Sequence, residues 1–335
     1  MRLRVLAGVI CVSVAVAAVW RATQAPHYPP ADLLLKQVLK AERQASYEAE
    51  AVITASVDGK SRAATAKLYK LGRASRMEYG PAAGNAIMVA NCHETATYEP
   101  DQKILTVSQC CGLVDCKRIA GLLARNYRPV VVGQAITAGR DTWVMSLLSN
   151  RGYACRTIWV DTKTHIILRT RDYGSDRKPQ FEMTIRKLHP RQTLPVALFR
   201  IPSIPSSTVC VRMEKCSTLS AISKQLGFTV TTPKYIPEGF VLEGMRLCRC
   251  ECGCGFKSAQ IRYTDGLKFI SVYQGTGKSG CGRCGSFVAP TAMGSCSVVR
   301  AGNEAVATVR CRRCLVVVVA DLPSREMRRI ARASL

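Results

Sequence analysis

Histidine is scarce in this chain, and the common catalytic signatures are missing. Four histidines occur in 335 residues: His27, His93, His165 and His189. No His-Glu-x-x-His is present, which excludes the helix-borne zinc site of metalloproteases. Neither Gly-x-Ser-x-Gly nor a glycine-rich phosphate loop occurs, which removes the serine-hydrolase elbow and the P-loop nucleotide site. Cys92, His93 and Glu94 are adjacent, but consecutive side chains on a strand diverge, so they do not make a catalytic pair. His165 is expected in a turn ahead of a strand. Long apolar runs are also lacking: beyond residue 19 nothing is long enough to span a bilayer, and Leu315 to Ala320 is only strand length. No internal repeat relates the halves of the chain. No nucleophile, base or cofactor constellation emerges, and the chain does not read as an enzyme.

Acidic residues are outnumbered, 23 against 48 Lys and Arg, for a formal net charge of +25. Where this charge acts depends on the N-terminus. Arg2 and Arg4 precede an uncharged apolar run, Val5 to Val19, and Ala22-Thr23-Gln24-Ala25 supplies small residues. That is the order of an export signal. Pro26 is unfavourable just after the cleavage point, and Trp20-Arg21 resembles an interface anchor. Residues 1–25 are therefore expected to be a signal peptide or a retained anchor, placing the rest in the periplasm or another extracytoplasmic space. Without them the charge is still +22, since three arginines and no acid leave. Outside the cytoplasm such a surface suits anionic lipid headgroups, envelope polymers or an acidic protein rather than nucleic acid. A general basic bias of the surface accounts for it equally.

What the chain has in quantity is cysteine, seventeen in all. Nine crowd the C-terminal third: Cys248, Cys250, Cys252, Cys254, Cys281, Cys284, Cys296, Cys311 and Cys314. The first four alternate as Cys-x-Cys-x-Cys-x-Cys. On a strand they would share one face, about 6–7 Å apart along it. Cross-strand disulfides to Cys281, Cys284, Cys311 and Cys314 need Cα atoms only about 4.4–6.8 Å apart, and an oxidising compartment favours them. The alternative is a thiolate metal site, with zinc the first choice, drawn from Cys252, Cys254, Cys281, Cys284, Cys311 and Cys314. Gly253 and Gly255 would supply the turn it requires. Neither Cys-x-x-Cys opens a helix after a strand, so redox catalysis is disfavoured. In the first half stand Cys92, Cys110, Cys111, Cys116 and Cys155, one too many to pair among themselves. A bridge to Cys210 or Cys216 would pin the two halves together.

Apolar periodicity divides the chain. Asp32 to Ala45 has helical spacing, and Tyr47 to Val57 alternates as a half-buried strand ending at Asp58-Gly59. Further strands, a helix over Val114 to Asn126 and four more strands follow. The order implies an α+β fold: a strongly curved antiparallel sheet, a half-barrel, with covering helices over residues 31–193. Such a sheet leaves an apolar cleft for an acyl chain or closes into a solid core. Three prolines and a serine cluster mark a connection over 194–212. Residues 213–335 then read as a smaller α+β domain: a helix at Ser217 to Leu226 ended by Gly227, short strands from Phe228 onward, and a closing amphipathic helix, Ser324 to Ala333.

Two stretches of the second half carry a resemblance. Phe228-Thr-Val-Thr-Thr-Pro233-Lys-Tyr235-Ile-Pro237-Glu238-Gly239-Phe240 reads as strand, proline-fixed turn and strand. Tyr263-Thr-Asp265-Gly266-Leu-Lys-Phe269-Ile-Ser-Val-Tyr273 reads as a hairpin. With Val-Val-Ala-Asp321-Leu-Pro323 and the last helix, these are similar to the C-terminal domain of the MucB/RseB family of envelope-stress regulators. In the first half, Trp159-Val-Asp161-Thr-Lys-Thr164-His-Ile-Ile-Leu168-Arg169 resembles that family's N-terminal domain, which shares the fold of the lipoprotein carriers LolA and LolB. The resemblance implies an exported, non-enzymatic protein without a cofactor. It also implies binding to an anti-sigma factor or another envelope protein, and to lipid or lipoprotein acyl chains in the first domain. The cysteine-rich stretches depart from the family pattern. Arg325, Arg328 and Arg329 on the last helix are the candidate partner-binding residues, a solvated helix face being the plainer reading.

Overall fold

The computed structural model describes residues 28–57, 60–110, 116–201, 204–205, 208–275, 294–301, 304–310 and 314–335. The expected signal or anchor over 1–25, the Asp58-Gly59 turn, and Cys281, Cys284 and Cys311 lie outside the described residues. The first half opens with α1 (Ala31–Gln44), followed by β1 (Ser46–Val57), β2 (Lys60–Leu71), β3 (Ala74–Tyr79), β4 (Ile87–Ala90), β5 (Glu94–Glu99) and β6 (Ile104–Gln109). After α2 (Cys116–Asn126) come β7 (Tyr127–Thr137), β8 (Arg140–Ser149), β9 (Ala154–Asp161), β10 (Ile167–Tyr173) and β11 (Pro179–Pro190). The second half contains β12 (Val209–Cys216), α3 (Leu219–Leu226), β13 (Val241–Cys250), β14 (Lys257–Thr264), β15 (Phe269–Gly275), β16 (Cys296–Ala301), β17 (Glu304–Arg310), β18 (Leu315–Ala320) and α4 (Ser324–Arg332).

Strand pairings give one continuous, open order: β7-β8-β9-β10-β11-β1-β2-β3-β4-β5-β6-β12-β13-β14-β15-β18-β17-β16. Every neighbour is antiparallel except β6 and β12, which run parallel where the halves meet. The mainly antiparallel α+β architecture matches the sequence reading. Among the described residues the sheet continues from the first half into the second. Cys210 and Cys216, expected as a covalent pin, carry free thiols. Backbone hydrogen bonding between β6 and β12 joins the halves instead.

The curl of the first half follows from its small and apolar inner residues. Beyond β10, β7 comes back close to β11, around the two helices. Leu34, Leu35 and Val38 of α1 and Leu123 of α2 pack on Met145, Leu147, Ile158 and Val160. Burying each large aliphatic side chain contributes about 1.5–3 kcal/mol. The second core places Met327, Ile330 and Ala331 of α4 and Ile222 of α3 over Ile261, Ile270, Val272, Val316 and Val318. At the start of α3 the Thr218 hydroxyl accepts from Ala221 N at 3.2 Å, and Gly227 (φ 73°) ends the helix in the left-handed conformation.

Three segments depart from the sequence reading. β7 contains Pro129, which argues against a strand, yet among the described residues β7 pairs only with β8, and an edge strand leaves the missing N–H without consequence. Residues 209–212, read as connection, begin β12, where Val209, Val211 and Met213 alternate with Cys210, Arg212 and Glu214. Phe228 to Thr231, read as a strand, is irregular. Side chains hold it: Ser223 Oγ accepts from Val230 N, and the Gln274 amide bonds both N and O of Thr231.

Candidate functional site

Register fixes which residues share the helix-covered face. Ala51 stands opposite Ala66 and Ile185, Ala66 opposite Tyr79, and Leu68 opposite Met77. Ala49, Ala51, Ile53, Ala66, Leu168 and Ile185 are buried here, while Met77, Tyr79, Phe181 and Met183 are only half-buried. Met88, opposite Met77, is exposed. These five make an apolar strip that α1 and α2 do not cover. On the other face, the connection between the halves is not free: Ile201 and Ile204 pack on Ala96, Leu105 and Val107. Arg76 also donates to Leu198 O at 3.2 Å. The segment expected as an extended spacer is thus laid down on β3–β6.

Phe181 ends the apolar strip and also lines a cavity of about 470 Å³ at the junction. This is within the usual range for a small-ligand site. Phe181, Leu267 and Phe269 give it apolar surface, and Arg156, Asp172, Lys268, Asp321 and Glu304 give it charge. Arg156 holds Asp172 through two hydrogen bonds, and Lys268 Nζ reaches Asp321 Oδ2 at 2.7 Å. Burial raises the Glu304 carboxyl above its ordinary value, reinforced by Asp321 and opposed by Arg262. Burial likewise raises the Cys155 thiol. A lining that combines apolar side chains with ion pairs suits an amphipathic ligand.

The junction is held by groups of both halves. The Asp265-Gly266 turn of the β14–β15 hairpin docks on α2 and β7. Tyr127 donates to Asp265 Oδ2 at 2.6 Å, and Asn126 Nδ2 reaches Asp265 O at 2.8 Å and Gly239 O at 2.9 Å. Gly266 has φ 98°, and an added Cβ would lie 3.0 Å from Leu122 Cβ and 3.1 Å from Leu123 N. Only glycine fits that approach. Burial, then the Asp265 charge, pushes the Tyr127 hydroxyl far above its ordinary value of 10. Across the seam, Arg246 is 3% exposed; it donates to Gln109 O at 3.0 Å and contacts Glu243 and Gln260. Ser175 N donates to Asp321 Oδ1 at 3.2 Å.

The cysteines divide by position. Cys248 and Cys250 end β13, opposite Met213 and Val211 of β12, so no cysteine faces either from that strand. Cys252 and Cys254 lie in the turn that follows. Burial pushes the Cys248 thiol up to about 12. Cys248 and Cys296 carry free thiols. Cys314 precedes β18 and is disulfide-bonded; β14 and β15 separate that strand from β13, so Cys314 does not stand directly across from the β13 cysteines. Cys92, Cys110 and Cys155 also carry free thiols. The Sγ atoms of Cys250, Cys252 and Cys254 all lie within 4.8 Å of one another. The expected metal set included the last two of these but missed Cys250; the strand reading hid it, because it leaves out the turn that brings it close.

Arg325, Arg328 and Arg329 are all exposed on α4. Arg329 stacks 3.6 Å over the Tyr235 ring, whose hydroxyl donates to Glu326 at 2.6 Å. Two of the three arginines thus lie away from that stacked pair. His165 (φ 58°) caps the turn after Asp161, and His93 sits ahead of β5. Burial opposes ionisation of Asp161, but hydrogen bonds from Thr164 N, Lys163 N and Arg140 hold its carboxyl below the ordinary 3.8. No described helix is long and apolar enough to cross a membrane.

No protein-family model matches the chain, and no curated protein matches its sequence. Solved structures do. MucB in complex with MucA(peri) superposes with a TM-score of 0.54 at 15% identity, covering 90% of this chain and 97% of that one. The Pseudomonas aeruginosa MucA/MucB complex gives 0.54 at 15%, covering 90% and 96%. The LolA superfamily protein NE2245 from Nitrosomonas europaea covers 52% of this chain at 11% identity, but its TM-score of 0.29 is too low to bear on the fold. This chain has the fold of MucB through both halves.

Proposed function

We propose that this protein is an exported, non-enzymatic regulator that works as MucB-like proteins do. It takes up a lipid or the acyl chain of a lipoprotein with its first half. Its second half binds an envelope protein, of the kind of an anti-sigma factor's extracytoplasmic part. The observation that carries this reading is the MucB fold over 90% of the chain; because fold alone leaves function to the site, the site has to support it as well. The site adds support: an apolar strip of Met77, Tyr79, Phe181 and Met183 runs into a junction cavity with paired charges. Bound acyl chain and bound partner would both lie on a frame that spans the halves, so that one can alter the other. Arg325 and Arg328 offer the second half's cationic face for an acidic partner segment.

Solvent extraction of the purified full chain, followed by mass spectrometry, tests the first part. A stoichiometric acyl lipid is expected. The second part is tested by titrating the full chain with the extracytoplasmic part of an anti-sigma factor from the same organism. Binding is expected to weaken with salt and with Arg325→Glu/Arg328→Glu. No lipid together with no partner binding contradicts the reading.

A further inference from the structure

We propose that Cys250, Cys252 and Cys254 form a binding site for one soft, thiophilic metal ion, Zn(II) or Cu(I). Three sulfurs within 4.8 Å of one another match a common ion: at a Zn–S distance of about 2.3 Å, tetrahedral sulfurs stand about 3.8 Å apart. Cys250 and Cys252 approach to 2.9 Å between Sγ atoms, well beyond the roughly 2.05 Å of a disulfide. Thiolate donors without a hard oxygen ligand select soft ions over magnesium or calcium.

The local fold builds this cluster. On β13 the alternation would send successive cysteines along one face, too far apart to share an ion. Gly253 (φ 80°) and Gly255 (φ 69°) reverse the chain in left-handed conformations, and nothing lies within 4 Å of a Cβ added at either. Glycine is needed there for backbone shape alone. Two hydrogen bonds close the turn: Cys250 N donates to Phe256 O at 3.2 Å, and Phe256 N donates to Cys254 Sγ at 3.4 Å. Burial grades from buried Cys250 through half-buried Cys252 to exposed Cys254. The ion would therefore have an anchored side and a solvent side, where a water or an exogenous ligand completes its coordination. Cys248, two residues earlier, is excluded: it is buried in the sheet with Ser258 opposite. None of the three lines the junction cavity, so the site stands or fails apart from lipid binding.

The experiment uses the full chain, reduced and stripped of metal under inert gas. It is titrated with Co(II) as a spectroscopic stand-in for Zn(II), and separately with Cu(I) against a chromogenic chelator. One equivalent per chain is expected, with a sulfur-to-metal charge-transfer band. Cys252→Ser/Cys254→Ser should lose it, and either single substitution should weaken binding beyond the roughly 10–100-fold that loss of an outer-shell partner costs. Exposed controls, Cys92→Ser and Cys110→Ser, should leave it unchanged. An unaltered melting temperature of the metal-free double variant shows that the fold is intact. Uptake that survives the double substitution, or no uptake of either ion by the reduced chain, overturns the proposal. So does a thiol count showing the three oxidised in protein isolated without reductant and not restored to metal binding on reduction.

Discussion

Arg246 of the seam between the halves and the thiol turn beyond β13 belong to one stretch of chain, and they differ in what surrounds them. Arg246 and Cys248 lie inside the sheet, where each polar group has a fixed protein partner or stays protonated. Four to eight residues later, Cys252 and Cys254 stand where the chain has left the sheet. There, side chains converge on each other rather than on the core. The same residue type at the same two-residue spacing therefore serves packing in one place and offers ligand atoms in the other. What separates them is backbone: a ladder on both sides of Cys248, and two left-handed glycines around Cys254.

Substitutions can break this contrast. Arg246→Ala should cost the most, about 3 kcal/mol or more, because Glu243 and Gln109 O are left without their buried cation. Urea unfolding of the full chain measures it; a loss under 1 kcal/mol would show that the seam does not depend on this side chain. Gly266→Val should cost about 1–3 kcal/mol, combining a strained φ with the close approach to Leu122, read from the same unfolding midpoints.

Tyr127→Phe should cost about 1–3 kcal/mol by leaving Asp265 a donor short, and its pH dependence has a defined sign. The hydroxyl's folded pKa lies above the ordinary 10, so its contribution is full below pH 10 and fades as pH rises further. Between pH 10 and 11 the stability of the parent should fall more steeply than that of the variant. Parallel slopes would remove Tyr127 from the seam. The smallest effect is expected at the turn: Cys254→Ser should stay within about 0.5 kcal/mol in metal-free protein, as exposed positions do. Cys248→Ser, which buries a hydroxyl in place of the thiol, should cost about 1–3 kcal/mol.

Much of this frame was legible in the sequence. Period-2 alternation located β1, an apolar run of strand length located β18, and Gly227 marked the end of α3. The Asp265-Gly266 hairpin was legible as a turn, but not as the piece that docks on α2, because docking depends on neighbours 138 or more residues away. β7 and β12 were hidden by Pro129 and by charged residues, and only their place in the sheet makes these tolerable. The cysteine alternation suggested a one-faced row, since spacing alone is silent about where a strand ends. Glycines 253 and 255 were the signal, and they pointed to a turn without fixing which sulfurs it gathers.

The central claim is that the apolar strip ending at Phe181 binds an acyl chain. Its most direct test is a fluorescence titration of the full chain with a fluorescent fatty-acyl probe, beside Phe181→Glu and Met183→Glu. The account predicts saturable binding at one site in the parent, reduced at least tenfold by either substitution, with the metal site untouched. Binding that is absent, or equal in all three proteins at matched stability, would contradict it.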